Sequence, residues 1–228
     1  MRSHRHLILL ITLVMLVVAE SFTRHVVVGP TASDIIVTVA ACSVFLLVFE
    51  GRRERVVALV TAIAAVFFTW SRRLHLEPPF GVINTGLHHA LLMVFIGYAV
   101  VVILADIFKR RAVTADDVLG TICGYLLAGA FFANAYSLCE LLVPGSFSVA
   151  QESESLKAAH SHTALFNYFS MVTLTTMGYG DVTPVRPPAT AIATLEAVFG
   201  QFYIAIVVAQ LVGMRMASGE RQDKPPAQ

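Results

Sequence analysis

Hydrophobic positions fall into six long runs separated by short polar interruptions, and their lengths predict helices. The runs extend from Leu7 to Thr23, Ala32 to Phe49, Val56 to Ser71, Ile83 to Ala105, Val118 to Val143 and Ala189 to Met214. A spanning helix needs about 20 mostly apolar residues, fewer where flanking arginines reach back to the interface. All six qualify, one of them marginally. A seventh run, His162 to Leu174, is too short to cross and fits a re-entrant helix. Directly after it the character changes to TTMGYGDVTP, Thr175 to Pro184, rich in threonine and glycine.

Composition agrees with a chain set in lipid: of 228 residues, 57% are hydrophobic and 14% charged, with a mean hydropathy of +0.74. The expected fold class is an all-α membrane protein. A net charge of +1 offers no basic field for nucleic acid. Cys42, Cys123 and Cys139 are odd in number and lie in apolar runs, so they are expected as small buried hydrophobes rather than a disulfide framework or zinc site. The first run has the basic start and small-residue end of a signal peptide. Apolar character resumes at His25 to Val28, and Glu20 and Arg24 are spaced to pair on a continuing helix, so a retained helix is expected.

Lysines and arginines set the expected orientation. With the N-terminus inside, the cytoplasmic segments hold eleven of them and the outer segments only five, namely Arg24, Arg72, Arg73, Lys157 and Arg186. Both termini are therefore expected in the cytoplasm of a multi-pass protein of the cell membrane. Residues 1–113 form one four-helix unit ending in a basic linker, residues 114–215 a second unit, and residues 216–228 a short cytoplasmic tail.

Non-helical backbone at membrane depth survives only where protein buries it or where it lines a cavity, because each unsatisfied peptide group costs several kcal/mol in hydrocarbon. Gly178 and Gly180 accept positive φ. Carbonyls that would alternate sides in an ordinary strand could then all turn one way, and four copies would stack rings of oxygens able to replace a cation's hydration shell.

The segment TLTTMGYGD, Thr173 to Asp181, resembles the selectivity filter of potassium channels, following a short helix between two spanning ones as it does there. The resemblance covers about 50 residues, Ser161 to Gln210. It implies a tetrameric channel in which each chain contributes six transmembrane helices, a re-entrant pore helix and an extended filter strand. By position, the carbonyls of Thr176, Met177, Gly178 and Tyr179, with the Thr176 hydroxyl and the Gly180 turn, would bind K+. Tyr179 would brace the filter sideways and Asp181 would sit behind its outer mouth, with Tyr168, Thr173 and Thr175 in support. The implied partners are three further copies of the chain and membrane lipid; no cofactor is implied beyond the permeant ion. Two departures stand out. Met177 replaces the usual valine or isoleucine, and Tyr168 with Phe169 replaces paired tryptophans, leaving Tyr168 alone able to donate to Asp181 or Tyr179.

In the last helix, Glu196 is an intramembrane carboxylate expected to face protein and hydrogen-bond behind the filter. Gly200 lies near mid-helix, as a hinge or as a small residue for close packing. Gln201 and Gln210 are expected as packing or cavity residues, His160 and His162 as solvated, and His88 and His89 as interfacial side chains. The first unit resembles a voltage-sensor unit without its arginine ladder: Ile83 to Ala105 contains no lysine or arginine. A less selective cation channel is the nearest alternative. An enzyme would need a nucleophile with a base or a metal cluster, and a transporter would need paired broken helices.

Overall fold

The structure, a computed structural model, describes residues 5–22, 31–49, 51–71, 80–109, 114–150 and 162–222. Each apolar run is a helix: α1 Arg5–Phe22, α2 Thr31–Val48, α3 Arg52–Ser71, α4 Phe80–Lys109, α5 Ala115–Leu142, the short α6 His162–Leu174, and α7 Pro187–Gln222. Among the described residues, four helices are long and apolar enough to cross a membrane: Arg53–Ser71, Phe80–Lys109, Ala115–Leu142 and Pro187–Gln210. The first two runs contain shorter apolar helices, His6–Leu16 and Asp34–Val48. Arg24 and His160 lie outside the described residues, as do the side chains of Glu20 and His162.

Helix starts follow local chemistry. Thr114 caps α5 in extended geometry: its hydroxyl accepts from the Asp117 amide at 3.3 Å, and Asp117 Oδ2 accepts from the Thr114 amide at 2.8 Å. This reciprocal box satisfies two orphan N–H groups, and Asp116 and Asp117 oppose the positive end of the helix dipole. At the other end of the chain α7 continues through Arg215 to Gln222, so the short tail begins helical. Its residues there, MASGERQ, are mostly good helix formers.

Two apolar clusters organise the packing. The first gathers Leu9 and Leu13 of α1, Val44 of α2, Ala58 of α3, Phe95 and Ile103 of α4, and Cys123 and Leu127 of α5. The second gathers Ala133 and Tyr136 of α5 with Leu165, Phe166 and Phe169 of α6. α5 is therefore the wall shared by the four-helix unit and the remainder. Small residues let it approach its neighbours: a Cβ on Gly129 would strike the Met171 methyl, and one on Gly124 would come 2.5 Å from the Tyr203 hydroxyl.

Three sequence expectations are corrected. His88 and His89 are buried, not interfacial. Thr69 uses its only proton on the Ala65 carbonyl at 2.8 Å, so His88 Nδ1, 3.1 Å away, donates to it; His89 Nδ1 donates to Asn134 Oδ1 at 2.9 Å. Adjacent positions on α4 thus reach α3 and α5 respectively. Cys42 is exposed on the outer face of α2, although Cys123 and Cys139 are buried. The fold also contains two short strands in an otherwise helical chain, β1 Phe147–Val149 and β2 Val182–Pro184, antiparallel with Ser148 opposite Thr183.

Candidate functional site

α6 enters between α5 and α7, and its C-terminal turn launches the irregular stretch. The Val172 carbonyl accepts from the amides of Met177 at 2.9 Å and Gly178 at 3.4 Å, and the Thr173 carbonyl accepts from the Thr176 amide at 2.9 Å. The half-buried Thr173 thus supports the stretch through its backbone. In a trans peptide the C=O points opposite to the N–H. With those N–H groups directed back into α6, the carbonyls of Thr176 and Met177 are directed away from it.

Backbone dihedrals continue the pattern. Thr176, Gly178 and Gly180 have φ of 58°, 57° and 76°, so every second residue is left-handed. The two glycines take that conformation without penalty, whereas for β-branched Thr176 it costs on the order of 1–3 kcal/mol. Residues 175–180 are all exposed on the single chain, including the side chains of Met177 and Tyr179. The Thr175 hydroxyl turns back to the Met171 carbonyl at 2.7 Å, and Gln201 on α7 reaches Thr176 Oγ1 with its amide nitrogen at 3.4 Å.

Beyond the glycines the chain is pinned on both sides. The Tyr168 hydroxyl donates to Asp181 Oδ2 at 2.7 Å, and Asp181 Oδ1 accepts from the Val182 amide at 3.0 Å. The Ala150 amide donates to the Asp181 carbonyl at 2.8 Å, extending the β1–β2 pairing to the end of the stretch. Glu140, at the end of α5, accepts from the amides of Gly145 and Ser146, each at 2.8 Å, and so shapes the turn that delivers β1.

Behind α6 lies a second polar centre. Glu196 is fully buried; Tyr136 of α5 donates to its Oε2, and Ser170 Oγ of α6 is 2.5 Å from its Oε1. Ser170 Oγ is also 2.7 Å from the Gly129 carbonyl. One turn further along α6, the Leu174 carbonyl accepts from the Tyr125 hydroxyl at 2.8 Å. Gly200 packs against that same carbonyl, which a Cβ would strike. Aromatic rings fill the space between: Tyr136 meets Phe169 edge-on with centroids 4.9 Å apart, and Phe147 of β1 lies 4.8 Å from Phe166. Among the described residues no group of three or more His, Cys, Asp or Glu side chains is placed to hold a metal ion.

Comparison with known proteins finds similarity in this part of the chain. Residues 121–216 match a family described as ion channel. The inward rectifier potassium channel Kirbac3.1 of Paramagnetospirillum magnetotacticum is 34% identical over 86 residues, 36% of this chain and 24% of that protein. Over these residues the chain is similar to ion-channel domains, that of a potassium channel among them. The chain spans about a quarter of the length of that relative, and no solved structure matches it.

The matched region holds several residues that sequence reasoning did not single out. Tyr136 and Ser170, which hold Glu196, lie 60 and 26 positions from it, so nothing local announced them. Glu140 and the two strands were equally silent. Left-handed Thr176 was legible in principle, because the two-residue spacing of Gly180 and Gly178 extends to it.

Proposed function

We propose that the chain is one subunit of a potassium-selective channel in which four copies close a single filter. The observation that carries this reading is the left-handed alternation at Thr176, Gly178 and Gly180, together with the amides of Met177 and Gly178 folded back onto Val172. That backbone presents successive carbonyls on the side away from α6. The oxygens of Thr176, Met177, Gly178 and Tyr179, with the Thr176 hydroxyl, then replace the water around K+, and Gly180 completes the outer turn. A single strand offers ligands from one side only, so three further copies supply the rest of each ring. Tyr179, exposed on the single chain, braces the filter laterally against a neighbouring copy. Asp181 anchors the outer mouth through Tyr168.

In the same reading the chain crosses the membrane six times with both termini in the cytoplasm. Its outward apolar stripe on α3, Val60, Ile63 and Phe67, meets lipid, and no cofactor takes part. Residues 1–113, whose α1 and α4 pack on α5, form a unit without a ladder of basic residues on its fourth helix, residues 114–215 conduct, and residues 216–228 form the tail.

The test is passive flux from liposomes containing the purified chain. Potassium flux well above sodium flux is the expected result; equal fluxes mean a nonselective cation pore, and no flux of either ion refutes conduction. Particle images of the detergent-solubilised protein should show fourfold symmetry, whereas a monomer that still conducts would contradict the four-strand ring.

A further inference from the structure

Glu196 sits where α5, α6 and α7 meet, and its hydrogen-bond partners fix more than its position. Three oxygens stand around Ser170 and Glu196 with too few protons of their own. Ser170 Oγ is 2.5 Å from Glu196 Oε1 and 2.7 Å from the Gly129 carbonyl. A serine hydroxyl carries one proton, and that proton serves only one of the two contacts. The Tyr136 proton is committed to the other carboxyl oxygen, Oε2. Two oxygens at hydrogen-bond distance with no proton between them repel, so the arrangement is one proton short if Glu196 is ionised.

Charge balance points the same way. Glu196 is fully buried, and among the described residues no lysine, arginine or histidine forms an ion pair with it. An isolated carboxylate in such a place carries a desolvation cost far beyond what two hydroxyl contacts return, and a buried group of this kind neutralises instead.

We propose that Glu196 is a neutral carboxylic acid that donates its proton to Ser170 Oγ. Ser170 then donates onward to the Gly129 carbonyl, and Tyr136 donates to Glu196 Oε2. Every contact holds one proton, and a single directed chain ties the inner helix through the pore helix to the outer helix. Its purpose follows from where it acts. Ser170 is one turn before Leu174, whose carbonyl is held by Tyr125 and Gly200, and the residues that leave this turn are the filter strand. Glu196 is thus a positioning residue: it touches no ion, and it holds the end of the helix from which the filter departs. The functional consequence rests on the potassium-channel reading; the proton assignment does not.

Two readouts on the full-length chain in liposomes test this. Infrared difference spectra between wild type and Glu196→Gln should contain a protonated-carboxyl C=O band, and Ser170→Ala, which removes the acceptor of the acid proton, should shift that band. In flux, Glu196→Leu should lower selective potassium transport on the order of tenfold for loss of two buried hydrogen bonds. Glu196→Gln should restore most of it, because an amide donates to Ser170 and accepts from Tyr136 as the neutral acid does. Absence of the band from wild type, or a glutamine variant no better than leucine, overturns the proposal. If the leucine variant does not fold, the band and its shift in Ser170→Ala decide. If wild type passes no potassium, the channel reading fails while the band still decides the proton.

Discussion

The Tyr168 hydroxyl donates to Asp181 Oδ2 across 2.7 Å, joining the middle of α6 to the residue that follows Gly180. This bond fastens the far end of the stretch 175–180 to the helix that also launches its near end. A neutral donor on a carboxylate gives a stronger bond than a neutral pair, roughly 1.5–3 kcal/mol. Tyr168→Phe should leave tetramer assembly intact and make potassium flux decay with time as the outer mouth loosens. Asp181→Asn should produce the same decay, and the double variant should be no worse than either single one. Time-resolved flux on the three variants checks this; additive effects would mean that the two side chains act separately.

At Gly178 the backbone has φ of 57° and a Cβ would meet nothing within 4 Å in its own chain. Substitution by alanine is therefore a conformational test rather than a steric one. A β-carbon disfavours the left-handed region by roughly 1–2 kcal/mol, and relaxation of φ turns a carbonyl out of line. Gly178→Ala should abolish selective potassium flux while the purified protein keeps its helical circular dichroism. Selective flux from this variant would remove Gly178 from the filter.

Gly200 is a packing residue first, since a Cβ there strikes the Leu174 carbonyl at the end of α6. Gly200→Ala should destabilise the fold by about 1–3 kcal/mol through overpacking, read as a lower midpoint of thermal unfolding in detergent. An unchanged midpoint would show that α6 and α7 are less closely seated.

Much of the helical architecture was legible in the sequence because hydrocarbon imposes continuous apolar runs. Even the short α6, His162 to Leu174, has the bounds that the apolar run suggested. The backbone of residues 176–180 was legible at Gly178 and Gly180, where residue type alone signals positive φ, and less so at Thr176, where a β-branched side chain argues against it. What stayed hidden depends on distant partners. His88 and His89 look interfacial until Thr69 and Asn134 are seen opposite them. Three-residue strands are too short for alternation to register, so the β1–β2 pair that delivers Phe147 to the aromatic cluster had no sequence signal.

Opening should depend only weakly on voltage. Moving one elementary charge through 100 mV is worth about 2.3 kcal/mol, and steep gating uses roughly three to four such charges per subunit. Within α4 the only lysine or arginine is Lys109, in its last turn. The buried pair His88 and His89 is anchored to α3 and α5 by hydrogen bonds, which opposes sliding of α4 through the field. Voltage steps on a planar bilayer in symmetric potassium should show a shallow change of open probability; a steep sigmoid worth several charges per subunit would contradict this.

The claim on which the rest depends is that residues 176–180 select potassium. It is tested most directly by the reversal potential of the reconstituted wild-type protein with potassium on one side of a bilayer and sodium at equal concentration on the other. Current should reverse at a large potential of the sign that opposes potassium leaving its own compartment, and Gly178→Ala should carry no such current. A reversal potential near zero for wild type would mean that sodium passes as readily as potassium, and the filter assignment would be wrong.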